Sequence, residues 1–419
     1  MGIFISTKIN MNATTPVYGH NNMQYTLDTK WGTLNADQTP VNDCHEMIQD
    51  GKGRIVLLTN ETKNNIIVYN KSGELLESWG HDFPGAHGLT VQHDGKTDYL
   101  FITDTDKHQV YKTTMDGKII FTIDAPKDVP AYVKPAAFVP TETTVLENGE
   151  FYIADGYGAQ HIMHYDEKGN LKNVFGGRGE GDAHFDNAHG ICVDARNGKP
   201  TLLITDRTRN AFKRFSMDGK LMEVIHLPGA CMCRPVIKGD YLYAAVLRSP
   251  NLDTEHTGFI TILDKQNKVV SNLGGSAPAY VNGVLQAMSQ TDKILNHPHD
   301  VCVDDDGNIY VSSVTSSDNF PTTPGFGNTF KGGGTDGVVF KLNKDLSTLM
   351  GGYVYFTPTA DNANVNVADI DFIIRMKRTT PEVITTCPAC KQSGVVEVNT
   401  PIVTYNGYGP NVNNGLSIS

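Results

Sequence analysis

The chain has no basic excess, few cysteines, two tryptophans and no long apolar run, and each shortage removes a class of protein. Lysine plus arginine number 35 against 46 aspartate plus glutamate, a formal net charge of −11 with no basic stripe. That balance argues against nucleic acid as the main partner. No stretch approaches the roughly 18 consecutive apolar residues of a membrane-spanning helix. Seven cysteines, odd in number and scattered, do not read as a disulfide framework, and a reduced compartment is favoured. The start, Met1-Gly-Ile-Phe-Ile-Ser6, has no basic segment leading into an apolar run, so no secretory signal is visible. A cytoplasmic location is expected, or an exported one if the chain is processed. Gly2 with Ser6 fits the loose myristoylation pattern, and an ordinary N-terminal arm is the plainer reading.

What is present is turn-rich and repetitive. The 41 glycines and 17 tyrosines, with 39% hydrophobic and 19% charged residues, suit a soluble β fold. His87-Gly-Leu-Thr-Val leads to Leu100-Phe-Ile-Thr-Asp104 and then to Met115-Asp-Gly-Lys118. His189-Gly-Ile-Cys-Val, Leu202-Leu-Ile-Thr-Asp206 and Met217-Asp-Gly-Lys220 repeat the series at one constant offset. Weaker copies begin at Cys44-His-Glu, Pro140-Thr-Glu, Arg234-Pro-Val and His299-Asp-Val. Six units result, spaced by about 45–50 residues, the period of propeller blades. Each holds three or four short apolar runs parted by Gly, Asp and Asn turns. Such units bury their faces only against neighbours, so the expected fold is all-β, a six-bladed propeller over 41–345. Residues 1–40 read as an N-terminal arm or a closing outer strand, and 346–419 as a C-terminal extension. Residues 315–334 read as a long loop in the sixth blade.

In a propeller the first strand of each blade lines the central channel. The repeat puts His45, His87, His189 and His299 in one channel-facing slot, with Thr141 and Cys233 in it in blades three and five. Three neutral imidazoles converging on an axis make the ligand set of a catalytic zinc site with an open position. A hydrogen-bonded histidine ring in a binding channel is the other reading. Cys387-Pro-Ala-Cys390 is a lone pair without a second, and Phe175-Gly-Gly-Arg-Gly-Glu-Gly181 lacks the strand-to-helix context of a phosphate loop.

With these motifs, residues 40–345 resemble the NHL-type six-bladed propellers. Within them the segment is similar to the lyase domain of peptidylglycine α-amidating enzymes. The likeness rests on His87-Gly-Leu with Asp104 and His108-Gln-Val-Tyr-Lys112, on Asp155-Gly-Tyr157-Gly158, on Ala188-His189 with Thr205-Asp-Arg207, and on Pro298-His299-Asp300. It implies Zn2+ on His87, His189 and His299, and a structural Ca2+ on Asp300 and the carbonyls near Leu89 and Met47. It also implies Tyr157 as general base and Arg207 on a substrate carboxylate. The reaction implied is N-dealkylation of a carbinolamide to an amide and glyoxylate. A tyrosine of ordinary pKa near 10 is a poor base at neutral pH, and a neighbouring metal and arginine favour its phenolate.

The departures matter. Thr59–Lys63 carries no arginine where the family has a second carboxylate grip, His297 replaces a methionine, and Cys231, Cys233 and Arg234 lie near the axis. These point to a metal-dependent, lyase-like relative acting on its own small anionic substrate, α-hydroxy or carbinolamide in type. Arg207 and Arg234 become candidate anion contacts, and His45 and His297 further candidate substrate contacts. Two competing readings are a non-catalytic propeller that binds a protein partner, with the tail as docking strand, and a structural component; fold alone favours none of them.

Overall fold

The computed structural model describes residues 16–28, 31–32, 39–95, 97–249, 257–292, 295, 297–315, 336–344, 371–374 and 403–406. Gly2, the 316–334 part of the long loop and Cys387–Cys390 lie outside them. The chain divides into two compact units, Met1–His20 with Tyr25–Asn343, and Asn21–Gln24 with Lys344–Ser419. In the second, Asp371–Ile374 pairs antiparallel with Val403–Asn406.

The first unit is a six-bladed β-propeller. Its two described helices are single 3-10 turns, Pro130–Tyr132 and Pro135–Ala137. Blade one runs from the axis outward as Cys44–Gln49, Ile55–Thr59, Ile66–Tyr69 and Leu75–Trp79. Blades two, three and four repeat that order, starting at Ala86–His93, Glu142–Val145 and Ala188–Asp194. In blade five the inner strand is broken into Cys231–Met232 and Val236–Lys238, both paired to Tyr241–Arg248. Blade six is Pro298–Val303, Ile309–Thr315 and Asp336–Lys344, and the N-terminal strands Met23–Asp28 and Val17–His20 complete its sheet. The sheet thus joins both ends of the propeller chain, which closes the ring.

Packing follows from the repeat. The second strands are mostly buried, Ile55–Thr59 along its whole length, because both faces meet a neighbouring blade, while the outer strand Leu75–Trp79 is wet. Between blades one and two the core holds Leu58, Ile66, Phe83, Leu100 and Ile102. Each such side chain contributes about 1.5–3 kcal/mol by leaving water.

The Ile-Thr-Asp motif explains itself in polar terms. Asp104 accepts N–H groups from Gly85, Asp106 and Lys107, and Asp206 accepts them from Asp186 and Asn187. Each aspartate therefore pins the loop that enters its own inner strand. The preceding threonines reach the next blade, Thr103 through the Thr141 carbonyl and Thr205 through that of Cys233.

Candidate active site

Four histidines meet on the axis, and a common backbone device aims them. His45, His87, His189 and His299 each sit where the inner strand slips register against its neighbour. A bulge of this kind turns a side chain out of the sheet's alternation. Gly88 and Gly190 follow two of them at close approaches. A Cβ on Gly88 would lie 2.5 Å from the Thr141 carbonyl oxygen, and one on Gly190 2.5 Å from the Cα of Arg234.

The rings form one cluster, with centroids 4.8 Å apart for His45–His87 and His45–His299, and 5.0 Å for His87–His299. His189 lies 4.9 Å from His87 and 5.2 Å from His299. The ligand nitrogens of His45, His87 and His299 lie within 4.8 Å of one another. His87 Nδ1 donates to the Thr141 carbonyl (2.9 Å) and His299 Nδ1 to that of His45 (3.0 Å). In the neutral rings this leaves both Nε2 atoms as bare acceptors. Burial, then mutual repulsion and the nearby Arg207, hold His87, His189 and His299 well below the usual histidine range. His45 is lowered to about 4, chiefly by burial.

This donor set fits a divalent metal. The imidazoles are neutral, the Nδ1–H groups of His87 and His299 are fixed by carbonyls as ligating histidines require, and the buried Nδ1 of His45 has no hydrogen-bond partner. The trio whose ligand atoms lie within 4.8 Å of one another includes His45 and not His189, while the Nε2 atoms of both His87 and His189 face Tyr157.

Tyr157 sits at the mouth of the cluster, 43% exposed. Asp155 holds the turn that presents it, accepting from the Tyr132 hydroxyl at 2.7 Å and from Val139 N at 2.6 Å. The phenol oxygen lies 3.2 Å from His87 Nε2, 3.0 Å from His189 Nε2 and 3.3 Å from Arg207 Nη1. One bonding pattern satisfies all three. The phenol donates to the bare His87 Nε2, His189 donates its Nε2–H, and Arg207 donates Nη1–H; the partnerless His189 Nδ1 is then an acceptor.

Arg207 is buried, and its other contacts are the Met232 carbonyl and the Cys233 sulfur. Among the described residues no carboxylate is hydrogen-bonded to its guanidinium. A guanidinium has five N–H donors, so two remain for a ligand.

Arg234 lies elsewhere. Its Nε and Nη2 take both oxygens of Asp300 at 3.1 and 2.7 Å. Nη1 donates to the Leu89 carbonyl and Nη2 to that of Met47, each at 3.1 Å. Glu46 and Glu142 stand 3.7 Å away. The expected anion contact therefore has four of its five N–H donors on oxygens, and the oxygens expected around calcium surround its guanidinium. Burial and the neighbouring Glu142 push Glu46 well above the carboxylate range despite Arg234. His297 stands before the blade-six strand at φ 46°, its N–H on the Thr257 carbonyl, and is not in the ligand trio.

Sequence reasoning missed Glu46 and Glu142. They sit one residue after the histidine slot, in the ring Glu46, Gly88, Glu142, Gly190, Arg234, Asp300. The same register exposes that ring.

The NHL repeat family model matches residues 295–312. The chain is 32% identical over 136 residues to a Caenorhabditis elegans protein named "Probable peptidyl-alpha-hydroxyglycine alpha-amidating lyase", covering 32% of this chain and 36% of that one. It is 27% identical over 271 residues to peptidyl-alpha-hydroxyglycine alpha-amidating lyase 1 of Drosophila melanogaster, covering 58% and 45%. The chain thus matches less than half the length of either relative. A streptogramin B lyase structure superposes with a TM-score of 0.47 at 15% identity, over 76% of this chain and 97% of that one. The chain resembles NHL-repeat propellers and amidating lyases, as its repeat and its His, Tyr and Arg motifs imply. Among the described residues no helix is long and apolar enough to cross a membrane.

Proposed function

We propose that the propeller is a metal-dependent, lyase-like enzyme that breaks a small anionic carbinolamide or related α-hydroxy compound at the histidine end of its channel. One observation carries the reading. Arg207 is buried with no carboxylate among the partners of its guanidinium in the described residues, and it bonds the oxygen of Tyr157, which itself bridges two axial histidines. A buried cation left unpaired is costly, and an incoming carboxylate relieves that cost through a forked contact.

His87 and His299, with His45 or His189, would hold the metal, zinc being the expected ion. When bound it would act as a Lewis acid toward the substrate's oxygen. The chain's own groups supply the rest. Arg207 orients the carboxylate beside Tyr157. Tyr157, entering the step as its phenolate with Arg207 Nη1–H on the oxygen, takes the proton of the substrate hydroxyl. As that C–O bond becomes a carbonyl, the C–N bond breaks, and the departing amide nitrogen takes a proton back. An N-acyl-α-hydroxyglycine would so yield a primary amide and glyoxylate, with no oxidant needed.

The test is release of glyoxylate from N-acyl-α-hydroxyglycines, with other α-hydroxy acids screened beside them. Removing a positioned base costs typically 10²–10⁴-fold, so Tyr157→Phe should lose about that much kcat with an unchanged melting curve. No turnover by metal-loaded protein, or full turnover by Tyr157→Phe, would overturn the proposal.

A further inference from the structure

The calcium ion that the resemblance implies does not fit this chain, because a side chain fills its place. The oxygens it would take are those of Asp300 and the carbonyls of Met47 and Leu89, and all are bonded to one guanidinium. We infer that Arg234 is a tethered counter-cation that replaces a divalent ion at the propeller axis.

The charge balance around the site supports this. Three buried carboxylates converge there from blades one, three and six, Glu46, Glu142 and Asp300. With two carbonyls they make an all-oxygen cage, the donor set of a hard cation such as calcium. Without a positive charge the ionised acids among the three would repel across the axis, where their side chains are buried. Arg234 supplies that charge from blade five and links blades one, two, five and six. The close approach of its backbone to Gly190 lets it enter. Arg234 also lines a cavity of about 560 Å³. That cavity is lined by the inner strands of all six blades, through Gln49, Thr90, Thr144, Val193, Ile237 and Val303.

The replacement has a consequence for the chain. The wild-type protein should not bind calcium at Asp300, and shortening Arg234 should expose a latent calcium site. The experiment measures melting temperature and bound calcium for the full chain with excess EGTA or excess calcium chloride. Wild type, Asp300→Asn, Arg234→Ala and the double variant Arg234→Ala/Asp300→Asn are compared. Wild type should show no Asp300-dependent calcium and no calcium shift beyond that of Asp300→Asn. Arg234→Ala should melt lower in EGTA and regain about 5 °C or more in calcium, and the double variant should lose that gain. One Asp300-dependent calcium in wild type would overturn the inference, as would an Arg234→Ala protein that calcium does not stabilise. Should Arg234→Ala be insoluble in EGTA, recovery in calcium supports the inference. Should it be insoluble in both, the wild-type comparison with Asp300→Asn decides.

Discussion

Arg207 and Arg234 are both buried at the axis of one propeller, yet they are opposites. Arg234 has every nitrogen on an oxygen partner and three carboxylates around it. Arg207 has a sulfur, a carbonyl and a phenol, and no carboxylate. Around Arg207 the histidines are neutral, and the Nδ1 atoms of His45 and His189 lack partners. The contrast teaches how to separate scaffold from site. Buried polar groups that satisfy each other hold blades together, whereas buried polar groups left short wait for something to arrive.

That contrast can be broken experimentally. The largest effect on stability should come from Arg234→Ala in EGTA, because it leaves the buried acids uncompensated. Losing one partner of such a set costs about 3–5 kcal/mol, read as a lower midpoint in urea. Gly88→Ala should come next, at about 1–3 kcal/mol, since its new Cβ would press on the backbone oxygen of Thr141 rather than on a movable side chain.

A smaller effect is pH-dependent, measured on protein stripped of metal. The axial histidines have folded pKa values below the unfolded value near 6.5. Below that pH the unfolded chain takes up protons that the folded one does not. Stability should therefore be flat above about pH 6.5 and fall as the pH drops. Each histidine adds up to about 1.4 kcal/mol per pH unit to that fall. A midpoint that stays level down to pH 5 would show that the imidazoles protonate freely in the fold. The smallest stability effect should be that of Arg207→Ala, within about 1 kcal/mol of wild type, because no ion pair is broken, although turnover should be lost. A loss like that of Arg234→Ala would erase the distinction drawn above.

The blades and the four histidines were legible because the repeat carries them in register: His-Gly at the strand start, Thr-Asp at the next strand's end. Tyr157 and Arg207 were legible only through the family likeness, since nothing periodic marks them. The setting of Arg234 was not legible from its own neighbours. Its partners Glu46, Glu142 and Asp300 come from three other blades, and a lone arginine near an axis suits an anion contact as well as a counter-ion. Reading the ring one residue past the histidines would have shown three acids facing one base.

The most direct test of the account is the divalent metal content of the purified, dialysed protein, wild type beside His87→Ala and His299→Ala. The account predicts about one zinc-class ion per chain, lost in both variants and retained in Arg207→Ala. No bound metal in wild type, or metal that survives both histidine changes, would contradict it.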